Sequence, residues 1–416
     1  MSQYVIEGGR RLEGELQIDG SKNAVLPIIA ATLLNEEVTY LENCPKIEDV
    51  KIMIEILKEL GCEVEWQQKT LMIDTRTLQN YDINEALVKK MRSSIILLGA
   101  LIGRCGEARV SQPGGCQLGA RPIDLHLDGL KKMGVEVTEV LGMISCKASH
   151  LRGAMIDLKF PSVGATENIM LAAVRSEGRT IISNAAMEPE IVDLQNFLVA
   201  CGAKITGAGT EKIVIDGIKK LNHVCYRVIP DRIIAGTYLV AAAITRGNII
   251  LNHIDSSHIK AILKQLDMMG CKIIDEGHRV ILIAPPKLKS LNIITEPYPG
   301  FPTDMQSQMM ALLCTCDQNS YIEENLFEAR FKIVDELIKM GAQIEVQNSI
   351  AYIKGNRRLK GCRVVAKDLR GGAALVLAGL AAEGCTMVGH TEHIKRGYEN
   401  IVADLAALGA RIEEKE

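Results

Sequence analysis

Cys116 stands in SQPGGCQLGARPIDLHL, Ser111 to Leu127, a segment whose Pro113, Gly114, Gly115 and Gly119 predict a mobile, exposed loop rather than a packed element. A thiol placed there meets solvent. Arg121, five positions further on, favours the thiolate and lowers the thiol pKa, which suits a proton donor or a nucleophile. The alternative is an incidental loop thiol. A glycine-rich segment carrying both Cys116 and Arg121 also suits a lid that closes over substrate.

Six further loops are rich in charge, and each leads into an apolar helix. They read SKNA (Ser21 to Ala24), KKMRSS (Lys89 to Ser94), FPSVGATEN (Phe160 to Asn168), PDRI (Pro230 to Ile233), FPTDMQ (Phe301 to Gln306) and KDLRGG (Lys367 to Gly372). The first turn of a helix leaves backbone N–H groups unpaired at the positive end of its dipole, so it gathers phosphate or carboxylate. Lys22, Arg92 and Arg370 add formal charge at three of these starts, which predicts a shared anion site. Taken singly, each is ordinary surface decoration.

The elements that position these loops repeat. A helix ending in Leu, Met or Cys before Gly, followed by a short strand, recurs as KELGCEVEW, KKMGVEVTEV, VACGAKITG, DMMGCKIID, IKMGAQIEV and AALGARIEE. The glycines are Gly61, Gly134, Gly202, Gly270, Gly341 and Gly409, separated by 73, 68, 68, 71 and 68 residues. Spacing this regular marks a sixfold repeat, and Gly after the last apolar turn predicts a left-handed helix stop. A second helix recurs in phase, as in LPIIAATLL, SIILLGALIG and TYLVAAAITRG. Several copies are apolar on nearly every face, which predicts helices inside and sheets outside. A scaffold of stacked repeats is the bland alternative, but interchangeable repeats would not carry such different polar loops.

Composition bounds the function. A chain of 416 residues exceeds one core and predicts two or three units. Its formal charge of −3, with no strongly basic window, makes nucleic acid a poor partner. The longest apolar runs, Ser94 to Gly103 and Gly371 to Ala382, fall short of the roughly 20 residues a bilayer needs, so no membrane partner is expected. The start, MSQYVIEGGRRLEG, has no basic head before an apolar stretch, which predicts a cytoplasmic protein. Twelve scattered cysteines then read as reduced thiols, most of them small core residues. His390 and His393 have no sulfur partner nearby, so no structural zinc is expected.

PGGCQLGARPIDLHL, together with SKNA, SVGAT, EPEIVD, PDRI, FPTDMQ, FEARF, DLR and RGYE, resembles the UDP-N-acetylglucosamine 1-carboxyvinyltransferases, the enolpyruvyl transferases that open peptidoglycan synthesis. The motifs occur in family order over essentially the whole chain. The resemblance implies an α/β fold of two inside-out α/β barrel domains, each of three repeated units as in EPSP synthase, with the active site in the cleft between them. It puts residues 1–20 and 230–416 in the second domain and residues 21–229, with the lid loop 111–122, in the first.

Residue roles follow from the same resemblance. Cys116 would protonate C3 of phosphoenolpyruvate, Asp304 would bind the sugar 3-hydroxyl and take its proton, and Asp368 would aid closure and proton handling. Lys22, Arg121 and Arg396 would hold the phosphate, and Arg330 and Arg370 the carboxylate. Asn23 and Arg92 would lie between the substrates. Arg121, Pro122, Ile123, Asp124 and Leu125, with Ser162, Val163, Gly164 and Leu326, would contact the sugar nucleotide. Lys395 replaces an acid found in many relatives and Gly371 an alanine, neither of which removes a proposed ligand, while Phe160 stands where some relatives place a uridine-contacting lysine.

The chemistry accounts for these residue types. A donor with both phosphate and carboxylate needs several fixed cations, and guanidinium forks match carboxylate geometry. Adding an alcohol across its double bond needs an acid at C3 and a base at the hydroxyl, but no cofactor or metal. Two rivals remain: a 5-enolpyruvylshikimate-3-phosphate synthase, which shares donor and fold but not the PGGC segment, and a non-catalytic UDP-sugar-binding paralogue, whose mark would be a lost Cys116 or Asp304.

Overall fold

The structure is a computed structural model that describes residues 2–112, 123–355 and 358–415. Cys116, Arg121 and Pro122 lie outside the described residues. The described chain falls into two units, one formed by residues up to Asp19 together with those from Pro230 onward, the other by residues from Gly20 to Ile229. Each has its own hydrophobic core.

The repeat glycines stop their helices as the sequence predicts. Gly61, Gly134, Gly202, Gly270, Gly341 and Gly409 have φ between 90° and 99°, a conformation a side chain would strain. After each, a strand pairs back into a small sheet with one buried face. One unit holds the sheet Gln3–Glu7, Cys385–Gly389, Arg363–Val365 and Arg411–Lys415, with Gln3–Glu7 antiparallel to Cys385–Gly389 and Tyr4 opposite Val388. Glu13–Gln17 runs parallel to Asn248–Asn252 in a second sheet, so the first residues of the chain fold with its later half. In the other unit Val224–Arg227 closes a sheet by running parallel to Val38–Glu42.

The second helix of each repeat forms the interior. Lys22–Thr32, Leu97–Cys105 and Val163–Val174 serve one unit; Arg232–Ile244, Gln306–Leu313 and Leu369–Ala381 serve the other. Gln306–Leu313 is buried at every position, and Leu369–Ala381 at all but its last. Their apolar faces point all round because helices and sheets pack on all sides. No helix of the described residues is long and apolar enough to cross a membrane.

Four of these helices start alike. Ser21, Ser162, Asp231 and Asp368 each accept a backbone N–H of the first turn, from Ala24, Ala165, Ile233 with Ile234, and Gly371 respectively. The middle helix of each unit instead follows a 3₁₀ turn, Arg92–Ile96 or Thr303–Met305.

Most of the described cysteines fill the core, as the sequence predicts, with four exceptions. Cys44, Cys62, Cys146, Cys201, Cys271, Cys314 and Cys316 are buried, but Cys105, Cys225 and Cys385 are exposed and Cys362 is half-buried. Cys225 and Cys385 sit at outward positions of strands, and Cys105 ends its helix, so the pleat and the helix end decide their exposure.

One contact fixes how two inner helices cross. Asn168, wholly buried on Val163–Val174, accepts the Gly99 N–H at 2.5 Å through Oδ1 and donates through Nδ2 to the Ile95 carbonyl at 2.8 Å. A Cβ on Gly99 would lie 2.1 Å from the Asn168 carbonyl oxygen. Gly99→Ala therefore meets backbone that cannot turn aside, and we expect it to destabilise by about 2 kcal/mol or more despite alanine's better helix propensity. Urea unfolding measures this; a variant as stable as wild type would mean the helices separate freely.

Candidate active site

In the Gly20–Ile229 unit, Lys22 opens its inner helix and is almost fully buried. Its Nζ lies 3.0 Å from Oδ2 of Asp49, which is itself buried on Glu48–Glu59. The ion pair fixes the position of the ammonium at a helix start. Asn23 follows, half-buried, and Arg92 begins the 3₁₀ turn, also half-buried.

Six of the residues expected to touch a sugar nucleotide lie on two adjacent helix starts. Asp124 opens Asp124–Lys132, with Ile123 before it and Leu125 after. Ser162, Val163 and Gly164 open Val163–Val174. His126 joins the two: a Cβ on Gly164 would meet its Cε1 at 3.0 Å, a tight contact that would press on the imidazole. Asn168 Nδ2 also donates to His126 Nδ1 at 2.9 Å. Since Asn168 Oδ1 is committed to Gly99, Nδ1 must accept, which leaves the ring proton on Nε2.

Behind these starts lies a group of acids. Burial, then Glu190 and Glu188, push Glu167 well above the usual carboxylate range. Burial also raises Asp193 to about 6, opposed by the Tyr226 hydroxyl donating to Oδ1 at 2.5 Å and the Ile229 N–H donating to Oδ2 at 3.3 Å. EPEIVD, which supplies Glu188, Glu190 and Asp193, is thus half-embedded in the core.

In the other unit Asp304 gathers two of the expected cations. Arg330 Nη2 donates to Oδ1 at 2.8 Å and to the Thr303 carbonyl at 3.1 Å, while Arg370 Nη2 donates to Oδ2 at 2.8 Å. Both guanidiniums are buried. Burial alone would lower the Arg370 pKa; the charges of Asp304, Tyr398 and Asp231 outweigh it and hold the group above the usual arginine range. The Nε of Arg330 is buried with no hydrogen-bond partner among the described residues. Glu324 steadies the surrounding loop, accepting the Thr303 hydroxyl at 2.8 Å and the N–H groups of Leu326 and Phe327 at 2.9 and 3.1 Å. Asp368 spends Oδ1 on the Gly371 N–H at 2.8 Å. Arg396 ends the short helix Glu392–Lys395 and is half-buried.

The structure therefore brings Asp304, Arg330 and Arg370 into direct contact, with Leu326 in the adjoining loop. It sets Ile123 to Leu125 beside Ser162 to Gly164. Sequence reasoning missed Asp49, His126, Asn168 and Glu324 as supports. Only the last could have been suspected, as a second acid beside FEARF.

The chain matches the EPSP synthase (3-phosphoshikimate 1-carboxyvinyltransferase) family over residues 6–405. Among solved structures it resembles the enolpyruvyl transferase NikO from Streptomyces tendae, with a TM-score of 0.91 at 26% identity over 100% of this chain and 99% of that one. An EPSP synthase from Acinetobacter baumannii shares the fold, with a TM-score of 0.74 at 20% identity over 100% of both chains. These matches define the class as EPSP synthase-type. A UDP-N-acetylglucosamine 1-carboxyvinyltransferase 2 of Caldanaerobacter subterraneus subsp. tengcongensis is 50% identical over 413 residues, 99% of each chain, and a UDP-N-acetylglucosamine 1-carboxyvinyltransferase of Thermotoga maritima is 46% identical over 420 residues, 100% of each. The chain belongs to the UDP-N-acetylglucosamine 1-carboxyvinyltransferase family.

The acid group generates a pH dependence. The unfolded Asp193 ionises near about 3.9, and the folded one near about 6. Its folded pKa is raised, so the favourable protonated form is available at low pH and its stabilisation is lost as pH rises through the folded value. Between pH 5 and 7 this group should cost about 1 kcal/mol of stability. Unfolding midpoints of wild type and Asp193→Asn, compared at the two pH values, should differ in slope by that amount, and parallel curves would reject the assignment.

Proposed function

We propose that this chain transfers the enolpyruvyl group of phosphoenolpyruvate to the 3-hydroxyl of UDP-N-acetylglucosamine and releases phosphate, in the cytoplasm, as the opening step of peptidoglycan synthesis. The observation that carries this reading is the Asp304 carboxylate held by two buried guanidiniums, one with an uncommitted buried N–H. Such a pair suits a substrate carboxylate, and in this reading the acid between them takes a hydroxyl proton. Identities of 46–50% with proteins bearing this name favour it over shikimate chemistry or a silent paralogue.

In this reading each unit supplies part of the machinery. Asp304 takes the proton of the sugar hydroxyl as its oxygen bonds to C2 of phosphoenolpyruvate, and Cys116 delivers a proton to C3. The tetrahedral adduct then loses a C3 proton and expels phosphate, leaving the enol ether. Arg330 and Arg370 orient the carboxylate. Lys22, Arg121 and Arg396 stabilise charge growing on the phosphate oxygens. Asn23 and Arg92 bridge the substrates, Pro122 to Leu125 with Ser162 to Gly164 and Leu326 hold the nucleotide, and Asp368, by capping its helix, keeps Arg370 in place. Addition and elimination need only acid and base, so no cofactor enters.

Phosphate release with phosphoenolpyruvate and UDP-N-acetylglucosamine tests the activity, with shikimate 3-phosphate in a parallel reaction. Release with the latter alone would sink the reading. Asp304→Ala should lower kcat at least about tenfold while circular dichroism stays unchanged; near-normal turnover at saturation would remove the base from Asp304.

Cys116 acts through acidity and position, so Cys116→Asp should keep substantial activity with an altered pH optimum, whereas Cys116→Ser, a far weaker acid, should lose most of it. Alkylation by the epoxide fosfomycin, which needs a thiolate, should mark wild type and spare the Asp variant. A Ser variant as fast as wild type overturns the general-acid role.

A further inference from the structure

His390, Glu392 and His393 lie together at the turn that joins Cys385–Gly389 to the short helix Glu392–Lys395. One donor atom from each lies within 4.8 Å of the others, and His390 Nδ1 is 3.1 Å from Glu392 Oε1. Among the described residues it is the one such group of three. The backbone builds it: the His393 N–H donates to the His390 carbonyl at 3.2 Å and the Ile394 N–H to that of Thr391 at 2.9 Å, closing a turn that brings both imidazoles to one side. Thr391 is wholly buried and bonded to Ser2 through both hydroxyls, so the turn is anchored.

Comparison within the chain sharpens the point. Asn43 and Asn184 hold the same place after their strands, with φ of 56° and 53° against 59° for His390. Their amides turn back to carbonyls, Asn43 to Val228 at 3.0 Å and Asn184 to Leu158 at 2.7 Å. His390 makes its contact outward, with Glu392. An ion pair would need only one imidazole; here a second stands beside it.

Against the sequence expectation of no zinc at His390 and His393, which looked only for sulfur partners, we propose that His390, Glu392 and His393 bind a divalent late transition-metal ion such as Zn²⁺, Ni²⁺ or Co²⁺, with water completing its coordination. Two imidazoles and one carboxylate favour these ions over Mg²⁺ or Ca²⁺. Bonds of about 2.1 Å put tetrahedral ligand atoms about 3.4 Å apart, so the three donor atoms would draw together on binding. The ion fastens the strand end to the helix that carries Arg396. The site stands independently of the enolpyruvyl-transfer reading.

Isothermal titration of the untagged full chain with NiCl₂ tests it. Wild type should show a saturable event that His390→Ala and His393→Ala each weaken about tenfold or more. Glu392→Gln, at an exposed position, should weaken it as well, and covers the case of a histidine variant that does not fold. Cys116→Ser should keep the event and MgCl₂ should give none. No event in wild type below about 1 mM Ni²⁺ overturns the site. So do unchanged affinity in the folded variants or loss of the event in Cys116→Ser.

Discussion

An inner helix that is apolar on every face has no side where its backbone can meet water, so its unpaired first-turn N–H groups must be satisfied where the helix begins. That requirement shapes everything polar in this chain. Ser21, Ser162, Asp231 and Asp368 meet it with their own oxygens. Lys22 and Arg370 lie one and two residues past their caps, where the dipole opposes a cation unless an acid is near. Asp49 and Asp304 are those acids.

Buried cations with acidic partners are weak stabilisers, because desolvation takes back most of the Coulombic gain. What they give is placement. Asp304 lies at the end of no cap of its own; it sits in a 3₁₀ turn, which shortens the entry to Gln306–Leu313 and lets one carboxylate reach arginines from two other segments. Arg92 occupies the equivalent turn of the other unit. The middle repeat of each unit therefore departs from its neighbours in backbone as well as in sequence, and in both it carries a charged residue proposed for catalysis or binding.

Much of this was legible because it is local. A glycine stop depends on one residue's conformation, and a helix apolar all round shows itself over three turns, so six repeats and their inner helices could be read directly from the chain. The charged loops were legible as helix starts for the same reason, and the resemblance assigned roles to Arg330 and Arg370. The pairing of both arginines with Asp304 was not readable, since it joins residues 26 and 66 positions apart through tertiary packing. Nor was the role of Asn168, whose amide settles a helix crossing and a histidine tautomer at once. Most cysteines are buried as expected, but the exceptions were not readable, because burial propensity is an average while the pleat of a strand decides it residue by residue.

The six repeats also show how one backbone plan yields unlike sites. At the left-handed residue after the second strand, Asn43 and Asn184 use a short amide to tie the turn to the next strand, which is a structural use of the position. The His390 ring contacts Glu392 instead, and its turn is tied by the buried Thr391 to Ser2, just before the first strand of the chain. Relieved of the structural task, the side chain at 390 is free to carry chemistry. The same division appears at the helix starts, where the cap residue satisfies the backbone and a residue one or two positions on, Lys22 or Arg370, carries the charge. Repetition secures the scaffold through one residue of each turn and leaves the adjacent one to vary, which is why the polar loops of a sixfold repeat can all differ.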